Sequence, residues 1–116
     1  MKRGTIPIGK EYEIEYRYFD KDPTFKYFNR KFEIYLLEKK TLKRNYLLHM
    51  DNCDISNWAP HLHKAPKVDK KLSFGVTTLN WTDIKKNFLE CVVDEIGEKN
   101  RDHAKKAVNK LTSPKT

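Results

Sequence analysis

The chain has 116 residues, of which 38% are apolar and 12% aromatic, with four Gly and five Pro; this suffices for one compact core and excludes a disordered tail protein or a collagen-like polymer. A formal net charge of +8 gives a surface that attracts polyanions in a salt-dependent way, and because the excess is mainly lysine it favours backbone attraction over base readout. No apolar run approaches the roughly 20 residues needed to cross a bilayer.

The basic opening 1-MKRGTIPIG-9, punctuated by Gly and Pro, predicts an arm over residues 1–10. The run 12-YEIEYRYF-19 alternates apolar or aromatic residues with charge and predicts a strand with one exposed face. A turn is expected at 20-DKDP-23. In 32-FEIYLLEK-39, Phe32, Ile34 and Leu36 share one phase, while Tyr35 and Leu37 make the other phase unusually apolar, as in a central or covered strand. The next strand, 44-RNYLLHMD-51, puts His49 and Asp51 on one face and Met50 on the other.

A polar connection leads to 58-WAPHLHKAP-66, an edge strand or extended loop in which His61 and His63 share a side and Leu62 opposes them. A further strand is expected over 72–79. Asn80 is a candidate cap for the helix 81-WTDIKKNFLECVVDEI-96, with Thr82 as the alternative; Gly97 should end or bend it before 98-EKNRDHAKKAVNKL-111 continues helically. A basic tail at 112–116 closes the chain. These elements predict one α+β domain over 1–116, a small antiparallel sheet of four to five strands packed against a long C-terminal helix.

The chemistry concentrates in 49-HMDNCDISNWAPHLHKAP-66, which holds three of the four histidines. Histidine exchanges protons near neutral pH, so His61 and His63 can divide acid and base roles in RNA cleavage: one deprotonates the ribose 2′-hydroxyl while the other protonates the leaving 5′-oxygen. His49 can take either role or orient phosphate, and Asp51 or Asp54 can hold an imidazole in one tautomer. The competing reading is a transition-metal site such as zinc, with H-x-H completed by His49, Asp51, Asp54 or Cys53; a purely structural polar cluster is the third. Metal-independent chemistry is preferred to the metal site, and no cofactor is expected.

Asn52, Arg30, Arg44, Lys64 and Lys67 are candidate nucleic-acid contacts. Trp58 and Trp81 favour core packing over base stacking. Cys53 and Cys91 form no C-x-x-C, and with no secretory segment a reduced, cytoplasmic setting is the simpler expectation. Phosphate loops, dinucleotide-binding Gly patterns and nucleophile elbows are absent from the sequence.

The step 51-DN-52 followed by 61-HLH-63, between a sheet and a helix, resembles the small TumE-like toxins of prokaryotic toxin–antitoxin systems. His49 stands shortly before it, where that family often has arginine. The resemblance implies that Asp51, Asn52, His61 and His63 belong to one functional surface and that a separate antitoxin covers it. The leading expectation is a toxin-like RNA-processing protein, a metal-independent endoribonuclease with RNA and an antitoxin as partners. The alternative is a non-enzymatic basic nucleic-acid-binding or protein-interaction module. An exposed apolar strand or helix face could also be covered by a second copy of the chain.

Overall fold

The computed structural model describes residues 1–25, 28–40, 43–52, 61–64 and 80–114, with the backbone alone at 40, 43, 44 and 61–64. Five strands, β1 (Lys2–Ile8), β2 (Tyr12–Lys21), β3 (Arg30–Lys40), β4 (Lys43–Asp51) and β5 (His61–Lys64), form one antiparallel sheet in the order β1-β2-β3-β4-β5. Successive side chains alternate between the two faces, so the register sorts the sequence pattern directly. Ile6, Ile14, Leu36 and Leu48 make one row across the inner face, and Tyr16, Ile34 and Met50 make the next. The outer face carries the polar phase, with Thr5, Glu15, Tyr35 and His49 in one row and Arg3, Arg17, Glu33 and Asp51 beside it.

The opening residues differ from the expected arm. They form the edge strand β1, because pairing with β2 from Lys2↔Tyr18 to Ile8↔Tyr12 satisfies their backbone while Ile6 and Ile8 enter the core. Gly4 suits this position: a Cβ would lie 2.6 Å from the Tyr16 hydroxyl, so with glycine that ring lies over the edge strand without having to shift. The turn expected at 20-DKDP-23 falls later, because β2 runs through Lys21; the chain turns after Asp22, whose carboxylate accepts from the Thr24 amide at 3.0 Å and from its hydroxyl at 2.7 Å. β3 is the central strand, which accounts for its two apolar phases.

Two helices cover the inner face. α1 (Trp81–Ile96) repeats Ile84, Phe88, Val92 and Ile96 at four-residue spacing, and this stripe is buried against the sheet. Asn80 caps it, its side-chain oxygen accepting from the Thr82 amide at 2.8 Å. Gly97, at φ 99°, ends it with its N–H donating to the Val93 carbonyl. The segment expected to continue is therefore split into a short 3₁₀ turn (Glu98–Asn100) and α2 (Arg101–Asn109). α2 offers the small residues Ala104 and Ala107 with Val108, which let it approach α1 and β1 closely.

Core packing centres on aromatic edges. Phe32 meets Phe28 at 5.3 Å, Trp81 at 5.8 Å and Tyr18 at 6.4 Å between ring centroids. Phe32 and Phe88 are fully buried, each contributing about 1.5–3 kcal/mol by removal from water. The segment after α2 docks as well: the Tyr18 hydroxyl donates to the Thr112 carbonyl at 2.7 Å and the Trp81 indole to the Leu111 carbonyl at 3.2 Å. Its expected basic tail thus begins as a strap on the core. The expected strand over 72–79, Trp58 and residues 115–116 lie outside the described residues. No helix among the described residues is long and apolar enough to cross a membrane.

Candidate functional site

The outer face of the sheet gathers the chemistry. On β4, alternation puts His49 and Asp51 on this face, and their side chains meet, Nε2 to Oδ2, at 2.9 Å. The imidazole is 30% exposed and the carboxylate 9%, so the ring is accessible while the acid lies largely covered beside it. In the tautomer that donates Nε2–H to Asp51, the basic lone pair sits on Nδ1.

β5 answers how the two histidine pairs are related. It runs antiparallel to β4 with His49 opposite His63 and Asp51 opposite His61. Directly opposed residues share a face with Cβ atoms about 4.5–5.5 Å apart, so the register places all four positions on the outer face in one compact square. Leu62 and Lys64 occupy the alternate positions, opposite Met50 and Leu48.

Tyr35 on β3 forms the wall beside this square. Its ring stacks on His49 at 5.2 Å and 30°, meets Tyr46 edge-on at 5.1 Å, and has the Arg17 guanidinium 5.1 Å over its centroid. The Tyr35 hydroxyl donates to Glu33 at 2.8 Å. Burial, then the hydrogen bond to Glu33 and that carboxylate's charge, push the phenol well above the usual tyrosine range. Arg17 in turn holds Glu15, with Nε at 2.8 Å and Nη2 at 2.6 Å from the same oxygen. That hydrogen bond raises the guanidinium further above its ordinary value. The acids of the face are therefore engaged: Glu15 by Arg17, Glu33 by Tyr35 and Asp51 by His49.

Several residues expected from sequence to contact nucleic acid are used otherwise. Asn52 is 1% exposed; its Oδ1 accepts from the Phe32 amide at 2.9 Å and its Nδ2 donates to the Arg30 carbonyl at 2.8 Å. It is a clip for the start of β3, since a backbone leaving the sheet edge there needs both partners, and this corrects its assignment as an RNA contact. Arg30 is half-buried at the first position of β3. Lys64 is paired with Leu48 in the β4–β5 register, a position alternate to those of the histidines. Arg44 faces Lys39 in the β3–β4 register. Lys67, Asp54 and Cys53 lie outside the described residues.

No family model, curated protein or solved structure matches the chain. Among the described residues, no group of three or more His, Cys, Asp and Glu side chains is arranged to hold a metal ion. Cys91 lies on α1, in the layer on the other side of the sheet.

Tyr35, Glu33, Arg17 and Glu15 were not singled out from sequence. Their signal was present: Glu15 and Arg17 share one phase of β2, and Glu33 and Tyr35 share one phase of β3. The charged members of those phases complete the face that His49 and Asp51 begin.

Proposed function

We propose that the chain is a toxin-like, metal-independent endoribonuclease whose reacting groups are the histidines of the outer sheet face. What supports the reading is one observation, the β4–β5 register that opposes His49 with His63 and Asp51 with His61. In this reading His49, steadied by Asp51 and the Tyr35 ring, removes the proton from a ribose 2′-hydroxyl. The oxygen attacks the adjacent phosphorus, a P–O bond to the 5′-oxygen breaks, and an imidazolium at His63 or His61 supplies that oxygen's proton. The products are a 2′,3′-cyclic phosphate and a 5′-hydroxyl, with no net consumption of protons. A protein antitoxin, as the TumE-like resemblance implies, would act by covering this face in the cytoplasm.

The test is cleavage of RNA in buffer containing a metal chelator. His49→Gln and His63→Gln should each lower turnover by about 100-fold or more while retaining the wild-type circular dichroism spectrum. Equal cleavage by the wild type and a folded double variant would sink the assignment.

The net charge of +8 favours a second reading, a basic nucleic-acid-binding module without turnover. Salt-dependent RNA binding that leaves the RNA intact across pH and added metals would select it.

A further inference from the structure

A phosphodiester at the histidine square needs cations for its neighbouring phosphates, and the asparagine selected from sequence is buried on backbone partners. The outer face offers an arginine instead. Arg3 on the edge strand β1 stands directly opposite Arg17, an arrangement in which like charges repel. Arg17 is compensated by Glu15. Arg3 is exposed and has no ion pair or side-chain hydrogen bond among the described residues. It is the uncompensated charge of its row.

Arg3, Thr5, Arg17 and Tyr46 border a concavity of about 250 Å³. Tyr46 is 39% exposed, one of two large apolar side chains so exposed among the described residues, and its ring is braced edge-on by Tyr35. The fold therefore sets a fixed aromatic surface beside an available guanidinium fork, one suited to a base and the other to a phosphate. Three strand spacings, about 14 Å, separate β1 from β4. A nucleic-acid strand crossing the sheet perpendicular to its strands passes from this concavity to His49.

We infer that Arg3, Thr5 and Tyr46 form a subsite for a nucleotide flanking the cleaved bond, and that the substrate class is single-stranded RNA. Arg3 binds a backbone phosphate with the Thr5 hydroxyl as a further donor, and Tyr46 stacks on an unpaired base. A duplex keeps its bases stacked internally and offers Tyr46 none. The assignment rests on the RNA-cleaving reading of the same face for its direction of travel, while its binding energetics can be measured separately.

The experiment uses the full chain carrying His49→Gln, which halts turnover, and a fluorescent single-stranded RNA of about ten nucleotides, followed by anisotropy over a series of salt concentrations. Arg3→Gln should raise Kd about tenfold and lower the slope of log Kd against log salt by roughly 0.7, the share of one single-strand phosphate. Tyr46→Leu should weaken binding by about five- to tenfold while Tyr46→Phe binds as the parent. Lys105→Gln, an equal charge change on α2, should leave Kd unchanged. Equal losses for Arg3→Gln and Lys105→Gln, or undiminished binding by Tyr46→Leu, would overturn the subsite. Arg3-dependent binding of RNA that the wild type leaves uncut would remove the cleavage reading and keep the subsite. Cleavage that needs His49 and His63 but ignores Arg3 and Tyr46 would do the reverse.

Discussion

The imidazole of His49 is held between two unlike neighbours, the Tyr35 ring stacked 5.2 Å away and the Asp51 carboxylate 2.9 Å from its Nε2. One contact fixes the plane of the ring and the other selects which nitrogen carries the proton. Asp51→Asn keeps the side-chain volume but removes the charge and allows the wrong tautomer. RNA turnover should fall by about 100-fold or more with the circular dichroism spectrum preserved, as single-turnover kinetics would show. A loss of only a few-fold would take Asp51 out of the mechanism.

Asn52 should behave in the opposite way. Asn52→Ala leaves the Phe32 N–H and the Arg30 carbonyl without the partners they have at 2.9 and 2.8 Å, at a cost of about 2–4 kcal/mol. Urea denaturation should register this loss. RNA affinity, measured below the shifted transition, should remain that of the wild type.

Alkaline pH should unfold the protein earlier than its net charge alone would dictate. Tyr18 and Tyr35 both have phenols pushed well above the ordinary range, chiefly by burial. The folded chain holds these protons when the unfolded chain has released them, so the stabilisation is complete below about pH 10 and is lost as pH rises above it. The thermal midpoint should decline over that window. In the Tyr18→Phe, Tyr35→Phe double variant the decline should be shallower, although its midpoint at pH 8 should be lower through loss of the hydrogen bonds to Thr112 and Glu33.

Gly97→Ala tests the break between the helices. The nearest atom to an added Cβ is Lys99 Cγ at 3.9 Å, so space is not the obstacle. The obstacle is a φ of 99°, a conformation that alanine rarely adopts. A loss of about 1–2 kcal/mol is expected from chemical denaturation, with the outer face and its RNA affinity unaffected.

Local features were legible in the sequence where the information is local. The bounds of α1 follow from the Ile84, Phe88, Val92 and Ile96 stripe between Asn80 and Gly97, and the shared face of His49 and Asp51 follows from alternation alone. The pairing of His49 with His63 was not legible, because register between β4 and β5 is a tertiary property and the intervening residues carry no two-residue turn signature. Asn52 was misassigned for a related reason: its amide serves backbone atoms twenty and more residues away, which only the folded sheet brings near. Arg3 was hidden by the Gly and Pro of its segment, which suggest an arm in isolation yet are tolerated on an edge strand.

The sheet is a meander in which every strand pairs with its neighbour in the chain, whereas the helices that cover it come last in sequence. During synthesis the hairpins can close as they emerge, since their contacts are local and close quickly. Ile14, Ile34, Leu36 and Met50 then await the helical residues between 81 and 108 that pack with them in the core. A chain stopped before Trp81 would lack Ile84, Phe88, Val92 and Ile96, the apolar stripe that packs on the sheet, and exposed apolar surface of this kind favours self-association. Completion of the helical layer is therefore the step that turns a sticky sheet into a stable carrier for the face opposite.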